Sequence, residues 1–159
     1  MAITSDNIEA RLSGFTKVLE KELKQQISLQ LGYLGQECVK MAREIGTYTD
    51  RTGNLRSSIG AVMQADGNKV METPFNQVSA GGSQGSSAGR TLANETLAEH
   101  RDSPFSLIVV AGMDYASYVE DIHNLDVLSS AERYAKGEYM NRLKDAAEAT
   151  IERMNKMQI

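Results

Sequence analysis

Residues 59–73 read IGAVMQADGNKVMET, and the centre of this stretch is a two-residue turn, Asp66-Gly67, between two apolar flanks. The turn pair and its neighbours Val62, Met63, Val70 and Met71 predict an antiparallel hairpin, with strands over 59–65 and 68–73. Pro74 ends the second strand, because proline donates no ladder hydrogen bond. A lone hairpin is marginal in water, so further strands and helices have to cover its apolar side.

Upstream, Ile8, Leu12, Phe15, Leu19, Leu23, Ile27, Leu31, Leu34, Cys38, Met41 and Ile45 recur in steps of three and four. That spacing predicts one long helix over about 5–45 with a single buried stripe. Ser5 or Asp6 can cap its start, with Glu9 three residues beyond Asp6, and Gly46 can supply a left-handed residue at its end. Gly32 and Gly35 each cost a helix about 1 kcal/mol relative to alanine, which points to a bend or a close backbone contact. Glu20 and Lys24 are spaced to pair on the outer face. Lys40, Arg43, Arg51 and Arg56 cluster around the helix end; favourable interaction with the helix C-terminus explains the first two, and a positive patch for a neighbouring subunit or DNA is the alternative.

Downstream, residues 79–89 read SAGGSQGSSAG. Such a composition buries little side chain and predicts a mobile loop over about 79–90 within a single domain of residues 1–159. A short helix over 91–100 comes next, then a strand over 105–111. The consecutive Leu107, Ile108, Val109 and Val110 suggest that this strand is central in its sheet. Ser129 with Glu132 three residues on has the form of a capping box that opens a last helix over about 130–157. Its apolar stripe is Ala131, Tyr134, Ala135, Leu143, Ala147, Ile151 and Met154, with Glu132/Lys136, Glu138/Arg142 and Glu152/Lys156 as outer pairs. The fold class predicted is α+β: a long N-terminal and a long C-terminal helix packed on one face of a small, mainly antiparallel sheet.

The chain's 159 residues suffice for one core without disulfides or metal. With 41% hydrophobic and 24% charged residues the composition is that of a globular domain, and the longest apolar run is too short to span a bilayer. Residues 1–6 lack the basic and apolar regions of a signal peptide, so folding in the cytoplasm is expected. A formal net charge of −4 disfavours a surface built to grip phosphates.

Reactive chemistry finds little support in the residues. Gly85 to Thr91 resembles a phosphate-binding loop, but its glycine spacing is one short, Arg90 stands at the lysine position and no buried strand precedes it. Cys38, in a helical pattern, suits core packing better than redox chemistry. His100 and His123, even with Asp102, Asp121 or Asp126, show no recognised metal spacing. His100, Asp102 and Ser103 are too close in sequence for a nucleophilic triad and read better as helix-end polar residues. No catalytic residue, cofactor or metal is therefore assigned.

Two segments resemble the signature of the tailed-phage head-to-tail joining and tail-completion family. They are Thr52-Gly53-Asn54-Leu55-Arg56-Ser57-Ser58-Ile59, after the long first helix, and Tyr115-Ala116-Ser117-Tyr118-Val119-Glu120, after the third strand. As structural joints, Gly53 can take a positive φ, Leu55 can plug the core and Arg56 projects from the turn. Tyr115 and Tyr118 can share one face of a helical turn, each with a buried ring and an exposed hydroxyl, and Glu120 is a candidate partner for a basic group such as Arg56, in the same subunit or the next. These six residues, Gly53, Leu55, Arg56, Tyr115, Tyr118 and Glu120, are the structural and interface candidates. The resemblance implies a non-enzymatic virion protein of a phage or prophage, assembled in the bacterial cytoplasm. It implies a homo-oligomeric ring of sixfold or twelvefold symmetry in the neck, partnered by portal or connector and by tail-tube or tail-terminator proteins. DNA is then only passing cargo, and no membrane is involved. The alternatives are a small cytosolic anion- or nucleotide-binding domain using the Gly85 to Thr91 loop, and a helical adaptor protein.

Overall fold

The computed structural model describes residues 5–122 and 125–157. In chain order it contains α1 (Ser5–Ile45), α2 (Asn54–Ser57), β1 (Ile59–Ala65), β2 (Asn68–Glu72), α3 (Ser83–Glu99), β3 (Phe105–Ala111), α4 (Ala116–Asp121) and α5 (Ser129–Lys156). The hairpin forms as its turn dictates: Asp66 at φ 49° and Gly67 at φ 77° both take the left-handed conformation that matches the twist of the flanking strands. β3 adds antiparallel to the other side of β1, giving the order β2-β1-β3. The long first and last helices pack against this three-stranded sheet, an α+β arrangement.

Alternation along the strands sorts the core into two layers. Ile59 and Ala61 of β1, with Leu107, Val109 and Ala111 of β3, face Leu34, Cys38, Val39 and Ala42 of α1. Val62 of β1, with Ile108 and Val110 of β3, faces Ala93 and Leu97 of α3, and Phe75 closes that layer. Helices therefore cover both faces of the sheet, not one. This also corrects the place of β3, which is an edge strand: its unbroken apolar run reflects two covered faces rather than two flanking strands.

The Gly/Ser-rich segment is the largest departure from expectation. Instead of a mobile loop over 79–90 and a helix from Thr91, α3 already begins at Ser83, and Gly85 and Gly89 are buried in it. Their lack of side chain is what packs. A Cβ on Gly85 would lie 1.9 Å from the Asn54 carbonyl oxygen, and one on Gly89 would lie 2.2 Å from that of Ser58. The first turn is held by Gly85 N donating to Asn54 Oδ1 at 2.9 Å. Composition measures side-chain burial and misses backbone-to-backbone approach.

α1 spans the predicted residues, about 60 Å of helix. Its stripe, however, is buried only in the second half: every residue from Ser5 to Val18 is exposed, with Ile8 at 48%, Leu12 at 59% and Phe15 at 42%. Gly35 makes the anticipated close contact, since a Cβ there would sit 2.8 Å from Leu107 Cδ1. Gly46 is not left-handed; a Cβ would meet the Tyr48 ring at 2.3 Å.

α5 runs antiparallel to α1, tied by Arg142 to Glu37 at 2.6 Å and Arg153 to Glu22 at 3.0 Å, so the expected Glu138/Arg142 pair is replaced by a bridge between helices. Lys24 likewise pairs with Asp66 instead of Glu20. The buried face of α5 holds Ala131, Ala146, Thr150 and Met154, and Ala147 and Ile151 point outward. The Glu132/Lys136 and Glu152/Lys156 pairs form as spaced.

Replacing Gly89 with alanine is expected to cost about 2–3 kcal/mol through overpacking against the Ser58 backbone. Gly137 in α5 has open space around its missing Cβ, so Gly137→Ala is expected to gain up to about 1 kcal/mol. Urea unfolding of the two variants beside the parent measures both, and equal midpoints would contradict the packing described.

Candidate functional site

The two family-like segments are distant in sequence and meet in space. Between α1 and β1 the chain must reverse direction, and Asp50 organises the reversal. Its Oδ1 accepts from Gly53 N at 2.8 Å and its Oδ2 from Arg56 N at 2.9 Å. Gly53 sits at φ 79°, a left-handed position that favours glycine, and opens α2. Leu55 is 2% exposed and plugs the core, as its place in the segment suggests. The residues leading from Leu55 to β1 form a helical turn.

The same turn anchors three later stretches of chain. Ser57 Oγ accepts from Val78 N at 3.0 Å, and Ser79 Oγ donates to the Thr52 carbonyl at 3.0 Å. The Ser58 carbonyl accepts from Gly112 N at 3.2 Å. These bonds join α2 to the approach to α3 and to the end of β3.

The second segment forms α4. Ala116 is its buried residue, and Tyr115, Tyr118 and Ile122 are exposed at 40%, 51% and 65%. The tyrosine rings are therefore not buried as expected: a helix of six residues turns only one small side chain inward. Glu120 does not meet Arg56. Its Oε1 accepts from Leu128 N at 3.1 Å and Ser129 N at 2.6 Å, and also from Ser129 Oγ, so it caps α5. Asp126 assists by accepting from Ser130 N at 3.1 Å. The Ser129/Glu132 capping box is replaced by these two carboxylates, and Glu132 instead pairs with Lys136.

Of the four basic residues around the end of α1, two are engaged within the fold. Arg43 Nη2 donates to the carbonyls of Ile59 at 2.6 Å and Pro74 at 3.2 Å. The Arg56 guanidinium lies over the Tyr48 ring, 5.5 Å from its centroid. Lys40 and Arg51 stay exposed.

Between the segments lies a surface cavity of about 430 Å³, lined by Tyr48 to Thr52, Leu55, Tyr115, Val119 and Leu125. Burial holds the hydroxyl pKa of both Tyr48 and Tyr115 above the ordinary value; for Tyr115 the nearby Asp50 carboxylate adds to the effect. Both stay protonated near neutral pH. Each carboxylate oxygen of Asp50 is engaged by a backbone N–H. The lining is mixed, with Tyr48, Leu55, Tyr115, Val119 and Leu125 beside the polar Thr49, Asp50, Arg51 and Thr52.

The remaining candidates take structural places. Cys38 is 1% exposed, its thiol donates to the Ala131 carbonyl at 3.7 Å, and burial pushes its pKa up, which suits packing rather than reactivity. His100 ends α3, and its carbonyl and that of Ser103 accept from Gln64 Nε2. Gly85 to Thr91 lies within α3 and forms no phosphate loop. Among the described residues no group of three or more His, Cys, Asp or Glu could hold a metal, and His123 lies outside them. No described helix is long and apolar enough to cross a membrane. Sequence reasoning overlooked Asp50, whose signal was an Asp three residues before Gly53-Asn54, and Asn54 as the anchor of α3. Compared with family models, curated proteins and solved structures, the chain gives no match.

Asp50→Ala leaves the N–H groups of Gly53 and Arg56 without their acceptor and is expected to cost about 1–3 kcal/mol. Glu120→Ala removes the α5 cap for about 1–2 kcal/mol. A double-mutant cycle of Glu120→Ala with Arg56→Ala should give additive losses in urea unfolding; a coupling of about 1 kcal/mol or more would restore the Glu120–Arg56 pair that the structure replaces.

Proposed function

We propose that the chain is a structural virion protein of a tailed phage or prophage. In this reading it forms part of the head-tail connector, neck or tail-completion ring by homo-oligomeric assembly. The observation that carries the reading is that the two segments resembling the joining family line one cavity, Thr52 and Leu55 from the first and Tyr115 and Val119 from the second, and that Tyr115 and Tyr118 of the second segment and Ile122 just after it are exposed. Aromatic and aliphatic side chains exposed next to a receptive cavity are the usual anchors of protein contacts.

The mechanism is association. A rigid subunit offers different surfaces to its two neighbours, and head-to-tail contacts that close by rotation make a ring. The resemblance sets the expected symmetry at sixfold or twelvefold and the partners as portal or connector above and tail-tube or tail-terminator below. The net charge of −4 suits a channel through which DNA passes without being held. A second reading, a helical adaptor, is favoured by the exposed Ile8, Leu12 and Phe15 along the free half of α1, which have the spacing of a helix-pairing face.

Antibody labelling of virions in the electron microscope separates the two. Label at the head-tail joint is expected, and particles without label overturn the proposal. In the same phage, Ile122→Asp should lower the yield of joined particles by about tenfold or more, with heads and tails accumulating apart, as loss of an interface anchor implies.

A further inference from the structure

The hydrogen-bond phase of the sheet leaves one edge open. Gly112 N donates to the Ser58 carbonyl at 3.2 Å and Asp66 N to the Pro104 carbonyl at 2.9 Å. With the register Ile59↔Ala111 through Ala65↔Phe105, the even-numbered residues from 104 to 112 bond to β1. Phe105, Leu107, Val109 and Ala111 consequently turn their N–H and C=O groups away from the sheet. Among the described residues none donates to or accepts from these four.

The two edges of the sheet are unlike. β2 is short and exposed, carries Lys69 and Glu72 and has a register shift opposite Met63/Gln64, all features that discourage strand addition. β3 has seven residues in unbroken register, no charged residue and no proline. A straight, apolar, unpaired edge is a template for another strand. Beside Leu107 and Val109 lies a largely apolar cavity of about 280 Å³ walled by Cys38, Leu128, Ala131 and Ala135, with Glu132 as its one charged lining residue.

We infer that β3 is closed by β3 of a second copy of this chain, the two strands running antiparallel about a twofold axis at Ile108. In that register Phe105 faces Ala111 of the second copy and Leu107 faces its Val109. All four outward N–H groups and all four outward C=O groups then find partners, with none left over. The layers also match, because Leu107 and Val109 meet the same apolar pair on one face and Ile108 meets itself on the other. β2 of another copy is a poorer occupant, being five residues long and interrupted. The pairing goes beyond the ring reading and does not depend on it, since a twofold contact closes on itself and makes a dimer.

Val109→Pro tests this directly. It removes an outward N–H without touching a bond to β1, and proline is tolerated on an edge strand. Sedimentation velocity across a range of concentrations should show the wild type at twice the chain mass and Val109→Pro at the chain mass, with equal far-ultraviolet circular dichroism. Amide hydrogen exchange on the wild type supplies a readout that needs no variant: the Leu107 and Val109 amides should be protected, with loss of that protection on dilution to monomer. A wild type that stays monomeric, fast exchange at those two amides, or a folded Val109→Pro of unchanged size overturns the inference. A wild-type ring that Val109→Pro leaves intact overturns the edge pairing and leaves the ring reading standing.

Discussion

The rest of the structure depends on the burial of β1 from every side. Ile59 to Gln64 are six consecutive buried residues, with β2 on one edge, β3 on the other, α1 over one face and α3 over the other. A strand in that position has no solvent to satisfy a misplaced group, so each neighbour is set by the side chain it meets. Gln64 shows the consequence. Its Nε2, buried with the rest, donates to the carbonyls of His100 and Ser103 and to Ser106 Oγ, which ties the end of α3 and the start of β3 to the strand. The Nε2 bonds stabilise modestly but are expensive to lose, so the loop after α3 is placed by β1, while the amide Oε1 is buried with no partner among the described residues.

Close approach is the means by which the layers fit. Gly35 lets α1 sit against Leu107, and Gly85 and Gly89 let α3 sit against the backbone of α2 and the residue before β1. Gly112 completes the joint, since a Cβ there would lie 2.4 Å from Gly89 Cα. The segment 50–58 then acts as a clamp: Asp50 and Asn54 satisfy N–H groups that open α2 and α3, and Ser57 and Ser58 hold the chain after β2 and after β3. Glu120 does the same for α5. Most of the residues that carry the family resemblance therefore act inside the subunit. What they leave on the surface is the cavity between them and the exposed Tyr115 and Tyr118.

This division explains how far the sequence was legible. Elements with a strong period or a definite turn were readable: α1, the hairpin at Asp66-Gly67 and α5 fall where spacing places them. The packing role of Cys38 was also readable, because an apolar side chain on a periodic face reports burial directly, and Leu55 plugs the core as its place in the family-resembling segment suggested. α3 was not, because its packing surface is made of missing side chains, and glycine in a sequence looks the same whether it frees a loop or admits a neighbouring backbone. The position of β3 was misread for a related reason: apolar residues on both faces record two covered faces and say nothing about its edges. Charge made Glu120 a candidate partner for a basic group such as Arg56, whereas within the subunit the nearer demand came from the unpaired N–H groups at the start of α5.

α1 carries the same lesson toward assembly. Its apolar period is unchanged from Ile8 to Cys38, yet α5 ends beside Glu22, where Arg153 closes the helix pair. Beyond that point Ile8, Leu12 and Phe15 continue the stripe and stay exposed. Burying a side chain of this size is worth about 1.5–3 kcal/mol, so the free half of α1 holds several kcal/mol of unrealised stabilisation. Periodicity reports the face a helix will bury and is silent on whether the cover comes from the same chain. The stripe of α1 therefore outruns the cover that the described residues of this chain supply.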